Sequence, residues 1–244
     1  MTLEDWGCSS VSLIVDGIRH PRTCAFTGSG IFAFRGVKVA KELIMVRHGY
    51  TGEHYDGRFV GSTDVPLARE GLMQVSALAA TAMAVAPAKC FCSPMLRARE
   101  TADAMLKPVE FRYEVAPNLR EIGFGHWECM TFAEISTSDP ENVNRWAEYS
   151  EDFSFPGGES IRSFNTRVKD FARQAVDEPA GTVLVVTHGG IIRALICYLL
   201  GLDFRNYLLF DVKPASVSRI AIYDGKGVLT QLNDLCHLRE CSHG

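Results

Sequence analysis

Leu43-Ile44-Met45-Val46-Arg47-His48-Gly49 carries four apolar residues in a row straight into a cation, an imidazole and a glycine. A continuous apolar run of this length, closed by polar residues, reads as a strand buried on both faces. The pattern returns at Lys89-Cys90-Phe91-Cys92, and at Thr182-Val183-Leu184-Val185-Val186 before Thr187-His188-Gly189-Gly190. Helical segments lie between and after these strands. They run from Gly71 to about Ala84, from Met95 to Leu106 ahead of Pro108, from Ser160 to Val176 after Pro156-Gly157-Gly158, and from Ile191 to Leu200. Buried strands alternating with helices predict an α/β fold of three layers, α/β/α, with a mostly parallel central sheet. In such sheets ligands gather outside the carboxyl ends of the strands. His48 and His188 each follow a predicted strand and precede glycine, so two distant stretches are expected at one rim.

The bulk numbers fit that picture. With 244 residues and 47% hydrophobic content the chain can bury a sizeable core. A formal net charge of -4 argues against a nucleic-acid binder, which needs a basic face. Anion affinity must therefore come from a local cluster of cations. The start, Met1-Thr2-Leu3-Glu4-Asp5-Trp6, is acidic and lacks the apolar core of a secretory signal. The weakly polar run near Val75 to Ala88 is too short and Ala-rich for a membrane span. A cytoplasmic protein with no membrane partner is expected. Its eight cysteines then read as reduced thiols. Cys236, His237, Cys241 and His243 suggest a metal site, but no second ligand pair at zinc spacing accompanies them, and no metal is expected. Residues 1–40 differ from the rest, being rich in Gly, Ser and Arg, and form an N-terminal extension to a domain at 41–244. Thr23 to Phe34 suits a hairpin turning at Gly28-Ser29-Gly30.

Arg47-His48-Gly49-Tyr50-Thr51 has the parts for phosphoryl chemistry. Arginine offers planar, bidentate donors to a phosphoryl group, and glycine lets backbone approach an anion. An imidazole nitrogen can attack phosphorus directly. Arg58, in Gly57-Arg58-Phe59-Val60-Gly61, and Arg97, just past the second strand, add cations. Rival chemistries lack their marks. A cysteine phosphatase needs C-x5-R, yet four residues separate Cys92 from Arg97 and six separate Cys90 from it. Neither G-x-S-x-G nor a P-loop pattern occurs.

Val46-Arg47-His48-Gly49 resembles the signature loop of the histidine phosphatase (phosphoglycerate-mutase-like) superfamily. The resemblance continues through Gly61 to Leu67, Gly71 with Gln74, Ser93 to Thr101, Leu119-Arg120-Glu121, Phe124 to Glu128, Pro156 to Ser160, Val186 to Gly190, Asn233 and His237-Leu238. It spans residues 41–238 in order. The resemblance implies that His48 becomes phosphorylated, without metal or other cofactor. Arg47, Arg97 and His188 are then expected to hold phosphoryl oxygens, with Thr51, Arg58, His54 and Gly189 assisting. Glu121 stands where the family keeps its proton donor. Three positions depart from the pattern: Tyr50 where Glu is usual, His54 where Asn often contacts phosphate, and Cys129 where Gly is common.

The Phe124 to Glu128 and Pro156 to Ser160 stretches look most like the α-ribazole phosphatase and broad-specificity branch. Hydrolysis of a small phosphomonoester, α-ribazole phosphate or a sugar or organic phosphate, is thus preferred over mutase activity. The other alternative is a non-catalytic phosphate binder, whose expected mark is loss of His48, Glu121 or His188. All three are present. Substrate choice is expected to rest on residues between Glu128 and Phe155, where Trp146, Tyr149, Phe153 and Phe155 supply either a cover for the site or the core of a helical cap. Oligomeric state is not encoded in any recognisable pattern.

Overall fold

The structure, a computed structural model, describes residues 41–179 and 181–239 and four short strands before them. Contacts divide the chain into Met1–Lys38 and Val39–Gly244. Within the first unit Ile14–Val15 pairs antiparallel with Ile18–Arg19, and Cys24–Phe26 with Phe32–Phe34. The second pairing is that of the expected hairpin, whose turn residues lie outside the described residues.

The second unit is built on six strands: β1 (Lys41–Arg47), β2 (Lys89–Cys92), β3 (Glu114–Val115), β4 (Thr182–Thr187), β5 (Val217–Tyr223) and β6 (Lys226–Asp234). They lie in the order β6-β5-β1-β4-β2-β3. The pairs β1 with β4, β4 with β2, and β2 with β3 are parallel; β5 runs antiparallel to both its neighbours. The mostly parallel sheet expected from sequence is present, with an antiparallel hairpin added at one edge. That hairpin turns at Asp224-Gly225, both at positive φ (48° and 77°). Two left-handed residues make the short turn whose twist matches the flanking strands.

Helices cover both faces. They are α1 (Arg69–Val85), α2 (Leu96–Leu106), α3 (Phe132–Ser138), α4 (Pro140–Ala147), α5 (Ile161–Asp177), α6 (Gly189–Leu200) and a short α7 (Cys236–Arg239). Alternate residues of the parallel strands feed two separate cores. Leu43, Met45, Phe91, Val183 and Val185 join Phe164 and Phe171 of α5 and Ile192 and Leu195 of α6. Ile44, Val46, Cys90, Cys92, Leu184 and Val186 join Val75 and Leu78 of α1 and Ala98, Ala102 and Met105 of α2. Two-sided burial is why these strands show no polar alternation. Each fully buried Leu or Phe contributes roughly 1.5–3 kcal/mol.

Local signals fix the ends. Ser160 caps α5 by accepting from the Ser163 N–H at 3.0 Å, and Thr131 with Glu134 forms a capping box at α3. Lys41 sends its ammonium to the Ala175 and Val176 carbonyls at the end of α5 and to that of Glu178 just beyond it. At the opposite end of the sheet Arg47 pairs with Thr187, so β1 and β4 finish level. The His48 N–H then donates to the Thr187 carbonyl at 2.9 Å. This single rung brings the two imidazoles to one place.

Candidate active site

His48 leaves β1 with its side chain 7% exposed. Its Nδ1 lies 2.8 Å from the Gly49 carbonyl, which can only accept, so Nδ1 carries the proton. The Nε2 lone pair is consequently free. Burial, then the charges of Arg47 and Arg97, push this imidazole well below its ordinary value. It is a neutral nitrogen base among cations. The loop is held by Thr101 of α2, whose hydroxyl accepts from the Gly49 N–H at 3.1 Å and donates to the Arg97 carbonyl at 2.8 Å.

His188 is the residue before α6 and is fully buried. Its ring centroid is 5.1 Å from that of His48. Its Nε2 lies 2.7 Å from the Ser93 hydroxyl, and Nδ1 is buried without a partner among the described residues. Burial, then Arg97, His48 and Arg47, depress this imidazole well below the ordinary range too.

Arg47 donates Nη1 to the Val212 carbonyl at 2.6 Å, while its buried Nε has no partner among the described residues. Burial draws this guanidinium down to about 10, although Glu121 opposes the fall. Arg97 is 1% exposed and spends two nitrogens on the Thr63 and Gly61 carbonyls, at 2.9 and 2.8 Å. That turn is fastened in its turn by Glu128. The carboxylate accepts from the N–H groups of Gly61, Ser62, Thr63 and Phe124 and from the Ser62 and Thr63 hydroxyls, at 2.6 to 3.2 Å. Burial works against ionisation of Glu128, but these donors prevail and hold it below the usual carboxylate range.

Glu121 is 8% exposed, with Oε2 accepting from the Gly190 N–H and Oε1 from the Ile122 N–H, both at 3.0 Å. A Cβ at position 190 would stand 2.5 Å from Glu121 Oε1, so glycine is required for the carboxyl to lie against the start of α6.

A cavity of about 310 Å³ is bordered by Arg47 and Glu121 of this group, while His48, Arg97 and His188, all buried, do not line it. Arg47, Glu121, Gly189 and Gly190 line it, together with Arg58 and Arg193. The rest is largely aromatic: Phe59, Phe124, Trp146, Phe155, Phe164 and Phe204. Several of these meet edge to face, as Phe59 does with Phe124 and Trp146, at 5.0 and 5.8 Å between centroids.

The fold therefore assembles Arg47, His48, Arg97, Glu121, His188 and Gly189 at one rim. Arg58 reaches the cavity wall, but its guanidinium is engaged with the Cys129 carbonyl at 2.9 Å and with Glu134 at 3.1 Å. Thr51 and His54 do not line the cavity; His54 is exposed and meets the Tyr55 ring edge-on. Of the aromatic residues between Glu128 and Phe155, Phe153 is core, Phe155 is buried but lines the cavity, and Trp146 is a half-buried wall residue. Cys241 and His243 lie outside the described residues. Among the described ones no group of three His, Cys, Asp or Glu side chains could hold a metal ion. No helix in the described residues is long and apolar enough to cross a membrane.

Sequence reasoning missed Gly190, the Ser93 partner of His188, the Thr101 and Glu128 supports, and Arg193, whose Nε donates to the Phe210 carbonyl at 2.9 Å. Ser93, Thr101 and Glu128 stood inside recognised motifs, yet supports of this kind show only when loops meet.

Residues 43–235 match the family model of the Histidine phosphatase superfamily (branch 1). Phosphoserine phosphatase 1 of Hydrogenobacter thermophilus is 32% identical over 200 residues, 82% of this chain and 95% of that one. Adenosylcobalamin/alpha-ribazole phosphatase of Escherichia coli is 30% identical, over 78% of this chain and 95% of its own. Among solved structures, mycobacterial glucosyl-3-phosphoglycerate phosphatase superposes with a TM-score of 0.70 at 28% identity, covering 80% of this chain and 99% of that one.

Proposed function

The chain belongs to the Histidine phosphatase superfamily (branch 1), and from that premise we propose that it hydrolyses small phosphomonoesters through a phosphohistidine on His48. The observation that carries this reading is the Nδ1 contact to the Gly49 carbonyl, which leaves a neutral, unprotonated Nε2 among buried arginines.

In the first step the Nε2 lone pair forms a bond to phosphorus, and the ester oxygen leaves with the bonding pair. Glu121, as carboxylic acid, gives that oxygen its proton. In the second step water attacks the phosphorus and loses a proton to the Glu121 carboxylate, and the P–N bond breaks back onto His48. Alcohol and phosphate are the products, and Glu121 regains its proton. Arg47 and Arg97 stabilise charge on the equatorial oxygens. His188, its Nε2 accepting from the Ser93 hydroxyl, presents Nδ1–H to one of them. Gly189 lets backbone approach the same group.

The aromatic wall supports a substrate whose leaving group has a flat or apolar body, such as α-ribazole phosphate, and the relatives keep phosphoserine and glucosyl-3-phosphoglycerate as further candidates. The test is hydrolysis of p-nitrophenyl phosphate with and without a chelator, followed by these esters. Chelator-resistant turnover is expected. Turnover that vanishes with chelator contradicts the metal-independent mechanism.

A further inference from the structure

Behind Glu121 lies a buried ion pair that the chemistry above does not use. Arg167 of α5 and Glu159 are 10% and 9% exposed and meet at 2.7 Å between Nε and Oε1. The second Glu159 oxygen accepts from Nη2 at 2.8 Å. The remaining donors go to backbone. Nη1 reaches the Asn118 carbonyl at 2.8 Å and the Arg120 carbonyl at 2.6 Å, and Nη2 reaches the Glu121 carbonyl at 3.3 Å. All five N–H bonds of the guanidinium are thus engaged, three of them on the four-residue stretch that ends at Glu121. Glu159 extends the clamp, because its Oε2 also accepts from the Gly123 N–H at 3.4 Å and its own N–H donates to the Gly123 carbonyl at 2.8 Å.

This stretch is fixed by no sheet ladder: its first two residues end the 3-10 turn Pro117–Leu119, and another such turn follows at Gly125–Trp127. A buried pair is a poor device for stability alone, since apolar residues of similar volume often serve as well. Here it does something apolar residues cannot, which is to gather consecutive carbonyls around one rigid fork.

We infer that Arg167 is a positioning residue for proton transfer, setting through the Asn118, Arg120 and Glu121 carbonyls where the Glu121 carboxyl stands. The inference rests on Glu121 being the proton donor. A displacement of about 1 Å in such a group can cost on the order of a hundredfold in rate. Lysine retains the charge at 167 but has only three donors and no fork.

The test compares wild type, Arg167→Lys and Glu121→Gln on two substrates. p-Nitrophenolate departs without a proton, whereas the alkoxide of phosphoserine needs one. Glu121→Gln should lose on the order of 10²–10⁴ in kcat on phosphoserine and at least tenfold less on the aryl ester. Arg167→Lys should show the same asymmetry, losing about tenfold more on phosphoserine, with a displaced limb in its pH profile on that substrate. If Arg167→Lys does not fold, the double variant Arg167→Met with Glu159→Met, which leaves no unpaired buried charge, takes its place in the comparison. Equal losses on both esters, or none, beside an asymmetric Glu121→Gln overturns the inference. A Glu121→Gln without asymmetry overturns the proton-donor reading and the inference with it.

Discussion

The loop after β1 and the helix start after β4 occupy equivalent places, level with each other on neighbouring parallel strands, and each delivers a buried histidine. They differ in which nitrogen the surroundings engage. His48 commits Nδ1 to a backbone carbonyl, which leaves Nε2 as a lone pair. His188 commits Nε2 to the Ser93 hydroxyl, which leaves Nδ1. Burial and neighbouring guanidinium groups depress both rings, and on the proposed mechanism one imidazole attacks while the other donates. A rim position supplies the residue; its hydrogen-bond partner supplies the role.

That contrast can be broken at either ring. His48→Ala should lower turnover of p-nitrophenyl phosphate by at least ~10⁴-fold, because no other nitrogen can form the intermediate. Tm with intact circular dichroism checks that the fold survives. Near-normal turnover in this variant would refute the mechanism. His188→Ala should lose less, about 10²–10³-fold in kcat, as expected for one donor to transition-state charge. Equal losses in the two variants would erase the distinction between the rings.

Ser93→Ala tests the second ring more gently, since it removes the hydroxyl that orients His188 together with that hydroxyl's bond from the Met95 N–H. One neutral hydrogen bond contributes about 1 kcal/mol, so kcat should fall roughly five- to tenfold. Stability offers a smaller and independent check. The unfolded chain protonates both imidazoles near pH 6.5, while the folded chain, with both values depressed, does not. Unfolded protein therefore binds more protons as pH falls below about 6.5, and stability declines there. His48→Ala removes one of these groups, so its Tm should drop less between pH 7 and pH 5 than that of wild type.

How much of this was legible beforehand follows from the range of each interaction. The parallel strands could be read because burial on both faces writes itself into consecutive residues, as in Leu43 to Val46. The edge hairpin was not read, though Asp224-Gly225 announces its turn, because one of its strands is largely buried and the other alternates exposed and half-buried residues. At the site, Arg47, His48, Arg97, Glu121 and His188 were legible as residue types at strand ends and in motifs. Their supports were not. Glu128 fastens the turn that binds Arg97 across 31 residues of sequence, and Ser93 meets His188 across 95. Nothing local marks either partnership. His54 is the converse case: a motif position suggests phosphate contact, and the structure places its ring at the surface, edge-on to Tyr55.

The most direct test of the account is to quench the protein during turnover of a ³²P-labelled phosphomonoester and ask where the label sits. An acid-labile, alkali-stable phosphoprotein is expected in wild type, slower labelling in His188→Ala, and none in His48→Ala. Label that survives acid, or that persists in His48→Ala, would contradict it.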